Sequence, residues 1–174
     1  GFQDDEIWEW EDFLAICNEL TMDSAGRHPT DSGFDSDDIQ QYAIDWPMGW
    51  WMPLTAAVFS NGGEFINEEG LIALDSEAAM EAMQRVADLI FVHHVAPRSS
   101  SMESLGMNNT QMIDTGRLAM GIDGSWALSW MNPTLLSVNM GTGALPKMVR
   151  PATTLQAHFH SVLSTTQNPE EAWQ

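Results

Sequence analysis

The chain has 174 residues, with six Lys and Arg against 25 Asp and Glu, giving a formal charge of −19 and a pI near 4.1. Hydrophobic residues at 44% are enough for the core of one domain, and charged residues at 18% are too sparse for a disordered acidic tail. The basic residues (Arg27, Arg85, Arg98, Arg117, Lys147, Arg150) are scattered and form no stripe, which excludes nucleic acid and anionic lipid as partners.

The apolar runs stop short of the ~20 residues a bilayer span requires. Gly1-Phe2-Gln3 followed by acids lacks the basic start and apolar run of a signal peptide, so no targeting segment is expected in these residues. The single cysteine, Cys17, can form neither an intrachain disulfide nor a cysteine-only metal site. Eight Trp against one Tyr point to wide apolar surfaces that are either buried or kept for stacking on a ligand.

Trp10, Phe13, Leu14, Cys17 and Leu20 recur at helical spacing, predicting an amphipathic helix over 8–20 with Cys17 as a small core residue. Residues 21–38, rich in Asp, Ser, Gly and Pro, read as a solvated loop. Its acids Asp23, Asp31, Asp35, Asp37 and Asp38 lack the order of an EF-hand, and no bound calcium is expected. Residues 39–51 contain an irregular aromatic stretch, 46–51, that opens onto a helix over 52–59, with Pro53 in its first turn. Asn61-Gly62-Gly63 ends that helix, and 64–66 with 71–74 form a short hairpin.

Asp75 and Ser76 cap a long helix over 77–94, with Ala79, Met80, Met83, Val86, Ala87, Ile90 and Phe91 on its apolar side. Pro97 stops it, and a Ser-rich loop runs to Gly106. Asn109 caps a short helix over 110–114, closed by Gly116. Residues 117–124 then form a buried-type strand ending in Asp-Gly and leading into Ser125-Trp126. Ligands collect where a strand's carboxyl end meets a helix, so Asp123, Ser125 and Trp126 become site candidates. Further strands are expected over 138–146 and 153–165, and a helix begins at Asn168.

His158 and His160 share a strand face, but no His or Glu completes a ligand set, so no metal site and no cofactor are expected. Glycine-rich nucleotide loops and the Gly-x-Ser-x-Gly elbow are absent. Trp8, Trp10 and Trp173, on helices, are assigned to the core. Trp46, Trp50, Trp51, Trp126 and Trp130 lie at strand-to-helix junctions, where an exposed indole could stack on a sugar ring, Trp50 and Trp126 foremost.

Several motifs, taken in order, resemble the extracellular solute-binding proteins of sugar ABC importers, the maltodextrin-binding family in its broad sense. They are Trp8-x-Trp10 with Asp12-Phe13-Leu14 and Leu20-Thr21, Pro53-Leu54 leading to Gly62-Gly63-Glu64, and Asp75-Ser76-Glu77-Ala78. After them come Gly116-Arg117-Leu118-Ala119-Met120 with Asp123-Gly124-Ser125-Trp126, Gly143-Ala144-Leu145-Pro146, and Asn168-Pro169-Glu170-Glu171-Ala172-Trp173.

The resemblance implies an α/β fold: a periplasmic-binding-protein-like type II lobe, three-layered around a mixed sheet, without most of the other lobe. Residues 1–150 would be the second, C-terminal lobe, and 151–174 the hinge-crossing strand and the start of a returning helix. Trp126 would stack on sugar, the 46–51 stretch (Trp46, Trp50, Trp51) would add contacts, and Gln156 and His158 would lie where the crossing strand passes the cleft. Asp123 would accept from two sugar hydroxyls, with a turn-forming Asp before Gly the competing reading.

The resemblance further implies a non-enzymatic protein outside the cytoplasm, extracellular or periplasmic, with a membrane-anchored lipoprotein as its full-length form. Its partners would be a small carbohydrate and an ABC permease, and uncovered hinge surface would favour self-association. A carbohydrate-active hydrolase using Asp123 and a second acid, and a Trp-rich protein-interaction module, are the alternatives.

Overall fold

Trp10, Phe13 and Cys17 recur at helical spacing on α1 (Trp10–Leu20), and all three are buried. The computed structural model describes residues 7–129, 137–157 and 161–173. Trp10 packs on Phe13 at 5.4 Å and on Trp46 at 5.5 Å between ring centroids, and Phe13 meets Trp46 edge-on at 6.1 Å. Each such aromatic pair adds about 0.5–1.5 kcal/mol beyond its area burial. Ala43, Ile44, Ala57, Val86, Leu89, Val95 and Ala96 complete this main cluster.

The C-terminal end of α1 is tied directly to the sheet. Gln41 donates to the Leu20 carbonyl at 2.6 Å, and the Ala43 N–H donates to the Thr21 hydroxyl at 3.2 Å. The sheet has three strands in the order β1 (Met22–Asp23), β2 (Ile39–Asp45), β3 (Leu118–Gly121). β1 and β2 are antiparallel, whereas β2 and β3 are parallel, pairing Tyr42 with Leu118 and Asp45 with Gly121.

β2 lies just ahead of the irregular aromatic stretch, where the sequence pattern marks no strand. Its burial does not alternate, because its last three residues are all buried beneath helices, as parallel-type central strands are.

α2 (Trp51–Ser60) carries Pro53 in its first turn, where no intrahelical N–H is required, and ends at Asn61, with Gly62 at φ +80° turning the chain. The predicted hairpin is present in rudimentary form: Ile66 bridges Ile72 across a turn closed by Gly70.

α3 (Glu77–Phe91) is capped by Ser76 as expected but ends three residues early. Its inward face is Ala79, Ala82, Val86 and Leu89, whereas Met80 and Phe91 are exposed. The small residues face inward because the helix sits close to the end of α2: a Cβ at Gly63 would come within 3.0 Å of the Ala79 nitrogen.

The expected Ser-rich loop is a helix, α4 (Ser99–Leu105). Asn108, not Asn109, caps α5 (Asn109–Asp114), through a reciprocal pair with Gln111. No strand forms over the described residues of 138–146 or 153–165, and Leu155 is 92% exposed. Trp173, on α6 (Pro169–Trp173), is exposed rather than core, since nothing described packs over that short helix. No helix among the described residues is long and apolar enough to cross a membrane.

The acidic loop is organised by one buried carboxylate. Asp23 accepts from the backbone N–H groups of Ala25, Arg27 and Asp35 and from the Arg27 guanidinium. Burial would raise its pKa, but these four donors outweigh it and hold the group below the usual carboxylate range.

Candidate functional site

β2 and β3 end side by side at Asp45 and Gly121, and the two loops that leave them carry the aromatic residues of the site. Residues 46–50 lead from β2 into α2, with a turn in which the Trp50 N–H donates to the Pro47 carbonyl at 3.2 Å. Residues 122–124 lead from β3 into a 3₁₀ turn, Ser125–Ser129. The Asp123 carboxylate accepts from the Gly124 N–H at 2.7 Å, and the Ala127 N–H donates to the Gly124 carbonyl at 2.9 Å, so the chain turns sharply. This is the strand-to-helix position where open α/β sheets hold their ligands.

The two loops bring Trp50 and Trp126 together. Their ring centroids lie 5.7 Å apart and their planes are inclined by 56°, forming an aromatic corner. Trp126 is 38% exposed. The corner opens into a cavity of about 630 Å³, a size that suits a small-molecule ligand. Met52, Pro53 and Ala56 of α2 line one side, and Thr153 to Gln156 line another. Asp123 lies at its edge, exposed, and is the one charged side chain among the described lining residues.

The 153–156 wall is anchored at a distance. Ser60, buried at the end of α2, donates its hydroxyl to the Arg150 carbonyl at 2.8 Å and accepts from the Met148 N–H at 2.9 Å. Its own carbonyl accepts from Val149 and Arg150, while the Arg150 side chain donates to the Phe59 carbonyl. Residues 148–150 thereby satisfy carbonyls that the helix end leaves open. From this anchor the chain runs back along α2, and the Thr154 hydroxyl reaches the Met52 carbonyl at 3.5 Å.

Of the residues that the sequence nominates, Trp50, Trp126, Asp123, Ser125 and Gln156 line the cavity. Trp46 does not: it is buried in the main core, and its indole N–H donates to the Pro53 carbonyl at 3.4 Å, supporting the start of α2 from below. Trp51, the first residue of α2, is half exposed and faces elsewhere. His158, with Trp130 and His160, lies outside the described residues. Among the described residues no cluster of three or more His, Cys, Asp or Glu side chains is placed to hold a metal ion.

Two residues beneath the cavity escape the sequence reading. Asp45, almost fully buried at the end of β2, accepts at 2.6 Å from the side-chain amide of Asn109 in the first turn of α5. Burial pushes the Asp45 carboxyl up, and the Asn109 amide opposes this only in part. A lone Asp before Trp-Pro carries no periodic signal, and an Asn at a helix start reads as a cap.

No protein-family model matches the chain, and no curated protein does. Solved structures do. Mycobacterium tuberculosis UspC shares 22% identity with it over 98% of this chain and 43% of its own, at a TM-score of 0.69. The Listeria monocytogenes ABC substrate-binding protein Lmo0181, in complex with cycloalternan, matches at 15% identity over 99% of this chain and 40% of its own, with a TM-score of 0.68. Maltose-bound MalE3 of T. maritima matches at 20% identity over 87% and 37%, with a TM-score of 0.62. The chain spans about two fifths of the length of these proteins. At such identities the likeness establishes the fold, and the chain is an α/β protein with a small mixed sheet, built as a periplasmic-binding-protein-like lobe.

Proposed function

We propose that the Trp50–Trp126 corner and Asp123 form one wall of a carbohydrate site in a solute-binding protein of an ABC importer. The observation that carries this reading is the cavity itself: two indoles and one carboxylate meet at the carboxyl ends of parallel strands, within a lobe whose structural relatives include proteins holding cycloalternan and maltose. An indole face matches the apolar face of a sugar ring, and a carboxylate accepts hydroxyl donors at about 1.5–3 kcal/mol each. Gln156, Thr153 and Ser125 add neutral polar groups to the same cavity.

In this reading residues up to about 150 are lobe and 151 onward is the segment that crosses toward a second wall. The protein acts outside the cytoplasm, extracellular or periplasmic, held there in a lipoprotein form, and delivers sugar to a permease without chemical turnover. Single-walled burial leaves half of a ligand hydrated, so affinity for this chain alone falls in the millimolar range, about −4 kcal/mol. The uncovered cavity side favours self-association. The hydrolase alternative calls for a second carboxylate facing Asp123, and the described lining residues hold Asp123 alone.

Tryptophan fluorescence during titration with mono- and oligosaccharides tests the proposal. A saturable shift that is lost in Trp126→Ala is the expected result, with the added sugar recovered intact. Release of shorter sugars would move the assignment to a hydrolase, and an unchanged response in Trp126→Ala would remove the sugar wall from this cavity.

A further inference from the structure

Asp45 is a buried acid for which the proposed carbohydrate site has no direct use, since it is absent from the cavity lining. A carboxylate in such a place is costly unless it is well paired, and a single neutral amide, that of Asn109, is the side-chain partner the structure gives it. The position of the pair is informative. Asp45 is the last residue of β2, and its carbonyl accepts from the Ile122 N–H at 3.3 Å, one residue before Asp123. Five residues after Asp45, the same chain delivers Trp50. The Asn109 amide lies 3.9 Å from where a Cβ at Gly121 would stand, so it packs against the last residue of β3. Asp45 thus touches both strand ends, and its side chain ties them to α5.

We infer that the Asp45–Asn109 hydrogen bond is a positioning device that sets the separation of the two strand-end loops, and with it the Trp50–Trp126 corner. Neither residue touches a ligand in this scheme; both act through the indoles. The inference rests on the proposed carbohydrate site for its purpose, but not for its test.

Two indoles in contact at a fixed tilt give an exciton couplet in circular dichroism whose size and sign follow their mutual geometry, with no ligand needed. Trp10 and Trp46 contribute a second couplet, so each variant is compared with the same variant carrying Trp126→Phe, and the difference isolates the Trp50–Trp126 component. Asn109→Asp sets two carboxyls against each other, and at alkaline pH, where both ionise and no proton is left to share, the difference couplet should be lost while urea unfolding remains cooperative. Asp45→Asn alone keeps an acceptor for Asn109 and should retain the couplet.

The double variant Asp45→Asn with Asn109→Asp restores a donor and an acceptor, with the charge now on the half-buried side, and should recover the couplet. If Asn109→Asp does not fold, Asn109→Ala removes the donor without adding charge and takes its place; its couplet should also fall. A wild-type couplet in a folded Asn109→Ala protein or, at alkaline pH, in a folded Asn109→Asp protein, or no recovery in a folded double variant, overturns the inference. Oligosaccharide titration of the same proteins separates the two ideas. Couplets that follow the expected pattern without any sugar response uphold the positioning role and sink the carbohydrate reading, while sugar binding with couplets indifferent to Asn109 does the reverse.

Discussion

The six-membered ring of Trp126 lies directly over the α-carbon of Gly124, leaving no space for a side chain at that position. A Cβ built on Gly124 would overlap three atoms of the indole. The glycine is therefore required by the aromatic ring that folds back on it, and not by a left-handed backbone angle.

Gly124→Ala should accordingly displace the Trp126 ring while leaving the core intact. The contact with Trp50 is worth about 0.5–1.5 kcal/mol, so ligand binding at the corner should weaken by roughly two- to thirteenfold. Near-ultraviolet circular dichroism and sugar titration measure this, and the urea midpoint should fall only by the part of the stability that this contact supplies. A large drop in that midpoint with unaltered binding would show the ring is free to settle elsewhere.

Ser60→Ala removes the hydroxyl that accepts from Met148 and donates to Arg150 in a buried setting. The unpaired Met148 N–H and Arg150 carbonyl should cost about 1–3 kcal/mol. Amide hydrogen exchange should rise first at 148–150, ahead of α2, because these residues are held to the helix end through Ser60. Uniform exchange across α2 and 148–150 would refute the anchoring role.

Asp23 and Asp45 should give opposite pH dependences. The folded pKa of Asp23 lies below its unfolded value, so its contribution is complete above about pH 3.9 and is lost as the pH falls through the folded pKa. The folded pKa of Asp45 lies above its unfolded value; stability is highest below about pH 3.9 and declines as the pH rises through the folded pKa. Urea midpoints across acid and neutral pH should therefore show Asp23→Asn losing its disadvantage toward low pH. Asp45→Asn should be more stable than wild type at neutral pH, with the gap closing in acid.

Cys17 has no exposed surface, and burial pushes its thiol up to about 12. Near pH 8 the folded protein therefore holds this thiol protonated. A chromogenic disulfide reagent should label Cys17 at the rate of global unfolding and no faster. Rapid labelling of native protein would mean that α1 opens on its own.

The helix at 10–20 was legible because its apolar spacing and its burial coincide, and the site's second half was legible because Ile122-Asp123-Gly124 announces a strand end. β2 was hidden: Ala43, Ile44 and Asp45 are buried consecutively, so no alternation marks them as a strand. α3 was placed correctly but rotated, because large side chains suggest an inward face, whereas the close approach to the end of α2 selects alanines. Trp46 and Trp50 sit four residues apart in one loop, and only the turn at Pro47 decides that one indole goes to the core and the other to the cavity. The Asp45–Asn109 pair spans 64 residues, a separation that local sequence pattern does not record.

Glu9 and Lys147 lie on adjacent parallel segments, joined at their backbones and by an ion pair of 2.7 Å. Chain passing through residue 9 and chain passing through residue 147 therefore cross the same corner of the lobe together. Displacing either segment would break a backbone hydrogen bond and an ion pair together, so the two segments are held as one.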